Sequence, residues 1–136
     1  MPEPPVLISA CLLGINTRYD GGSRENAELL ERLKGRVLIP VCPEQLGGMP
    51  TPRPPSSLNG FSGEQVLSGR ASMVNAAGRD VTQEFIRGAH ETLAIAIKLG
   101  VKEAYFKSRS PSCGLEPLGV AAALLRRYGI EVHNDE

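Results

Sequence analysis

Short apolar runs alternate with longer amphipathic stretches along the chain. Val6-Leu7-Ile8-Ser9 follows a pair of prolines and stops before Leu13-Gly14, the pattern of a short strand buried on both faces. A second apolar run over 37–41 contains Pro40, which places it at a sheet edge or ends it early. Residues 104–106 and 130–132 read as the third and fourth strands. Helical periods lie between them. Ser23 caps a helix over 23–34, with Leu29, Leu30 and Leu33 on one face and Gly35 as its stop. Asp80, with Gln83 three residues on, has the form of a capping box. The helix it opens runs to Leu99, with Val81, Phe85, Ala89, Leu93 and Ile97 on its apolar face. A last helix covers 120–128 and is closed by Gly129.

Strands alternating with helices predict an α/β fold, a small and mainly parallel sheet flanked by helices in the Rossmann-like manner. Such a sheet builds its site at the carboxyl ends of its strands. No repeat or second domain is visible, so residues 1–136 read as one domain. Segment 42–59 holds Pro43, Pro50, Pro52, Pro54 and Pro55, which predicts an extended, stiffened wall for a pocket.

Composition narrows the class. With 41% hydrophobic and 22% charged residues, the chain is that of a soluble globular protein. Fifteen basic and fifteen acidic residues cancel, leaving no basic stripe, so nucleic acid is a poor fit as partner. The apolar runs are too short to span a bilayer, which predicts no membrane association. The amino terminus lacks the charged region and apolar run of a signal peptide. An odd cysteine count without a secretory signal points to a reducing compartment, the cytoplasm. The oligomeric state is not legible; a homodimer is compatible with the sequence.

The candidate chemistry lies with the cysteines. Cys11, Cys42 and Cys113 each fall just beyond the carboxyl end of a predicted strand, 31 and 71 residues apart, so they are remote in sequence yet able to meet in space. None belongs to a Cys-x-x-Cys pair, so neither a thioredoxin-type motif nor a standard zinc ribbon is indicated. Any one of them alone could be a small buried hydrophobe. All three in Gly-, Pro- or Ser-rich turns suit a shared site. Three thiolates leave a four-coordinate centre with one open position, which admits either zinc with a water or a [4Fe–4S] cluster with one iron free of protein. Glu44, two residues after Cys42, is placed for general acid–base work, its proton affinity raised if the crevice is poorly solvated. Ser110 and Ser112, in Ser110-Pro111-Ser112-Cys113-Gly114, offer hydroxyls and backbone N–H groups to a polar substrate. Lys107 and Arg109 add positive charge that favours thiolates. Asn16, with Arg18, Tyr19 and Asp20, is expected on the facing wall. His90 and His133 have no ligand spacing to the cysteines.

Four motifs in order carry a resemblance over most of the chain: Ser9-Ala10-Cys11-Leu12-Leu13-Gly14; Arg18-Tyr19-Asp20-Gly21; Pro40-Val41-Cys42-Pro43-Glu44-Gln45-Leu46-Gly47-Gly48 with Thr51-Pro52-Arg53; and Lys107-Ser108-Arg109-Ser110-Pro111-Ser112-Cys113-Gly114. Together they resemble the 2-thiouracil desulfurase family. The resemblance implies that Cys11, Cys42 and Cys113 hold a [4Fe–4S] cluster with one open iron, and that Glu44 and Ser110 are the acid–base and substrate-activating residues. It implies a small thiolated substrate, a thiouracil-like base or nucleoside, whose C=S becomes C=O with release of sulfide in a non-redox reaction. Lys107, Arg109, Ser112 and Asn16 are the expected substrate contacts. After Gly114 the chain enters its last predicted helix sooner than is usual in that family. Two rivals stand beside this reading: a non-catalytic carrier or sensor of metal, cluster or sulfur, and a zinc hydrolase with Glu44 as base.

Overall fold

The computed structural model describes residues 3–135; Met1, Pro2 and Glu136, which the single-domain expectation includes, lie outside the described residues. In chain order the elements are β1 (Val6–Ser9), a 3₁₀ turn (Ala10–Leu13), α1 (Ala27–Arg32), β2 (Leu38–Val41), α2 (Pro43–Leu46), β3 (Ser56–Ser57), α3 (Gly63–Leu67), β4 (Val74–Asn75), α4 (Thr82–Lys98), β5 (Glu103–Phe106), α5 (Val120–Arg127) and β6 (Glu131–Asn134). Four strands form one sheet in the order β2-β1-β5-β6, and every pairing in it is parallel. The fold is therefore the α/β arrangement that the alternation predicts. Pro40 sits in β2, an edge strand, where it costs no ladder bond on an inner strand.

β1 is buried throughout because it is central and covered on both faces. Successive side chains point to opposite faces. Leu7 joins Phe85, Phe106, Leu124 and Leu125 in the larger core, built chiefly from α3, α4 and α5. Ile8 joins Leu12, Leu29 and Leu33 under α1 on the other face.

The chain leaves β1 in one direction to reach β2 and returns to its other side for β5, so the topology reverses at β1. Open α/β sheets hold ligands in the crevice beyond the carboxyl ends at such a reversal.

Several boundaries differ from the sequence expectation. α1 begins at Ala27, not after Ser23: the Asn26 side chain accepts from Leu29 N, while Arg24 N and Asn26 N donate to the 3₁₀ turn at Cys11 O and Leu12 O. Segment 42–59 is not wholly extended, because Pro43 occupies the first turn of α2, where a missing N–H costs nothing. Asp80 does not form a capping box; its carboxylate accepts from Thr82 N, and α4 starts after Val81. Ile97 is 61% exposed. Each i+4 step drifts by about 40° around a helix, so a row begun at Val81 has left the core by Ile97, and Ala96 takes the buried place. α3 has the reciprocal Ser62–Gln65 capping box, a pattern present in the sequence and overlooked there.

Candidate active site

The three cysteines leave the sheet at its reversal. Cys11 lies in the 3₁₀ turn after β1, Cys42 is the residue before α2 and just after β2, and Cys113 lies in the loop after β5. All three line one cavity of about 360 Å³, within the usual range for a small-molecule site. Cys11 and Cys113 are buried and Cys42 is half-buried; no disulfide joins them.

Burial pushes the thiols of all three up, most strongly at Cys113. Cys42 raises Cys11 further, and both raise Cys113, as expected of sulfurs that face one another across a shared space. Arg18 and Lys107 pull Cys11 the other way. At Cys42 the N–H of Gln45 at the start of α2, and then Arg53, do the same. Ser9 Oγ accepts from Lys107 N at 2.8 Å, tying β1 to the loop after β5, and the Ser9 hydroxyl partly offsets the upward push on the Cys113 thiol.

Side-chain and tail hydrogen bonds hold the Cys113 loop. Ser110 Oγ accepts from Ser112 N (3.2 Å) and Cys113 N (3.1 Å). A hydroxyl with both lone pairs so engaged keeps its hydrogen for a third partner. The Asn134 amide donates to Phe106 O and Cys113 O and accepts from Leu115 N. Asp135 accepts from Ser108 N and lies 3.8 Å from Lys107 Nζ. Arg109 takes a left-handed φ of 60°, which is uncommon for a residue other than glycine and here turns the loop toward the cavity.

Glu44 lies on the wall, but as an ion-pair partner: its Oε1 accepts from Arg53 Nε at 2.9 Å. Its Oε2 has no partner among the described residues. Glu44 thus projects into the crevice as the sequence places it, and in addition has Arg53 as a cationic partner on one oxygen. Lys107, Arg109, Ser110 and Ser112 also line the cavity, as do Arg18 and Tyr19. Asn16 is exposed and does not line it, nor does Asp20. The turn that carries them presents Thr17, Arg18 and Tyr19 instead. His133 stacks on Tyr105 at 4.9 Å, away from the cavity, and His90 is exposed.

Sequence reasoning missed Arg53 as a site residue. It is 9% exposed and joins three loops of the cavity. Its signal in the sequence is a lone cation in a proline-rich segment near Glu44, within Thr51-Pro52-Arg53.

The donor set fits an iron–sulfur cluster better than one ion. Among the described residues the only His/Cys/Asp/Glu set whose ligand atoms all fall within 4.8 Å of one another is Glu103, Glu131 and His133, so at least one pair of the three sulfurs stands farther apart than that. Tetrahedral zinc with bonds of about 2.3 Å holds its sulfurs only about 3.8 Å apart. A cluster takes each thiolate on a separate iron and suits the wider spacing. Arg18 Nη1 is buried beside this set with no hydrogen-bond partner among the described residues, a cation suited to an anionic centre.

The chain has relatives. A solved structure described as a [4Fe-4S]-dependent thiouracil desulfidase, TudS, superposes with a TM-score of 0.80 at 38% identity, covering 98% of this chain and 91% of that one. A protein of Bacillus subtilis (strain 168) named uncharacterized protein YbbK is 37% identical over 93% of each chain. The family described as 2-thiouracil desulfurase matches residues 6–136. With its three cysteines on one cavity at the sheet reversal and this match over almost its whole length, the chain belongs to the 2-thiouracil desulfurase family.

Proposed function

We propose that this protein is a [4Fe–4S]-dependent desulfurase that hydrolyses the C=S bond of a thiouracil-like base or nucleoside, R₂C=S + H₂O giving R₂C=O + H₂S. One observation carries the reading: three cysteines from adjacent strand ends face one cavity, with at least one pair of their sulfurs more than 4.8 Å apart. The TudS relative is named for the same cofactor and substrate. Cys11, Cys42 and Cys113 hold the cluster. When bound it supplies an iron without a protein ligand, a Lewis acid for the substrate sulfur.

The remaining steps fall to the chain's own groups. Glu44 Oε2 takes a proton from the water that adds to the thiocarbonyl carbon and later returns it to the departing sulfur. Arg53 on Oε1 keeps the carboxylate oriented. The Ser110 hydroxyl, its lone pairs engaged by its own loop, donates its hydrogen to the ring. Ser112, Lys107 and Arg109 line the remaining wall and bind the polar edge of the ring. The protein acts as a single domain over 1–136, in the cytoplasm; no helix among the described residues is long and apolar enough to cross a membrane.

Anaerobic reconstitution followed by an absorption spectrum and iron and sulfide analysis is the direct test. A broad band in the visible and roughly four irons per chain, with sulfide released from 2-thiouracil, are expected. Glu44→Gln keeps the band and loses about 10²- to 10⁴-fold in turnover. A colourless protein after reconstitution overturns the reading, and a loaded but inactive one favours a carrier.

A further inference from the structure

The Arg53 guanidinium has five N–H donors, and five acceptors surround it. Nε donates to Glu44 Oε1 (2.9 Å). Nη1 donates to Pro50 O (3.2 Å) and Thr51 Oγ1 (2.9 Å). Nη2 donates to Thr17 O (3.0 Å) and Cys42 Sγ (3.9 Å). Its backbone N–H donates to Tyr19 O (2.8 Å). A cation used so completely has no donor left for a substrate. What it does is fix relative position: the 17–19 turn, the start of α2 and the 50–53 segment meet on one planar group. The Cys42 thiol itself donates to Thr17 O at 3.8 Å. As a thiolate ligand it gives up that bond, and the contact with Arg53 becomes a charge-assisted one to an anionic sulfur.

We infer that Arg53 is a positioning residue for the cluster, holding the Cys42 sulfur and the Glu44 carboxylate as one rigid unit and remaining the cationic donor to that sulfur once the cluster is bound. The inference rests on the cluster reading above. Partners of this kind, one bond removed from the metal, are worth about 10- to 100-fold in metal affinity, and hydrogen bonds to ligand sulfur raise a cluster's reduction potential.

The test compares wild type, Arg53→Gln and Arg53→Lys after anaerobic reconstitution. The readouts are loss of the visible band to an iron chelator, the cluster midpoint potential by redox titration, and the melting of the cluster-free protein. Arg53→Gln is expected to lose its cluster about 10- to 100-fold faster and to show a lower potential. Arg53→Lys keeps the charge and therefore part of the potential. With three donors for five acceptors, it still loses the cluster faster than wild type. Wild-type stripping rate and potential in Arg53→Gln overturn the inference. Where Arg53→Gln does not fold, the same values in folded Arg53→Lys overturn it. A wild-type protein that takes up no cluster instead overturns the underlying reading.

Discussion

Cys113 shows how a residue's surroundings set its chemistry. Fully enclosed and close to two other sulfurs, its thiol is held in the neutral form well above the ordinary range, with burial the largest cause. Reactive thiols are of the opposite kind, exposed and with depressed pKa values, so an uncatalysed thiol role for this residue is disfavoured. Its upward shift has a definite sign in stability. In the cluster-free protein the unfolded chain releases this proton in the ordinary thiol range, while the folded chain keeps it. Unfolding is thus favoured as the pH rises. Urea midpoints of the cluster-free protein are expected to be unaffected by this group from pH 6 to 8 and to fall above about pH 9. Cys113→Ser is expected to show a smaller fall.

Between elements, the contact that places Glu44 is the one between α2 and α4. Gly47 and Gly88 let the two backbones touch, and a Cβ on Gly88 would run into the Pro43 carbonyl. Two effects compete in Gly88→Ala. Alanine favours an exposed helix interior by about 1 kcal/mol over glycine, whereas overpacking costs about 1–3 kcal/mol. The second wins here because the obstructing atom is backbone at a helix start and cannot rotate away. Gly88→Ala is therefore expected to lower the denaturation midpoint of the cluster-free protein. It should also reduce iron per chain after reconstitution, since α2 carries Glu44 and directly follows Cys42. An unchanged midpoint would show that α2 yields freely.

At the scale of the whole molecule, the site depends on strands far apart in the chain, and β6 is the clearest case. It contributes no lining residue, yet Asn134 at its end bonds both flanks of the Cys113 loop. Asn134→Ala removes three hydrogen bonds and leaves their partners unmet, at a cost of about 1–3 kcal/mol. Both the urea midpoint of the cluster-free protein and cluster retention are expected to drop, whereas a stable variant that loses its cluster would assign Asn134 to the loop alone. Periodic, local signals along the chain suffice for the sheet strands and the longer helices: the apolar run of β1, the glycine after α5, the proline that keeps β2 at an edge. The same signals anticipate that the three cysteines meet on one cavity, since cysteines just past strand ends in a parallel sheet converge. The rest follows only from how the elements pack. Whether Asn16 or Arg18 faces the cavity depends on the course of a turn. Glu44 has a cationic partner nine residues away because a proline-rich segment folds back over α2. At least one pair of sulfurs stands more than 4.8 Å apart because the three cysteines follow three different strands, whose spacing is a property of the assembled sheet.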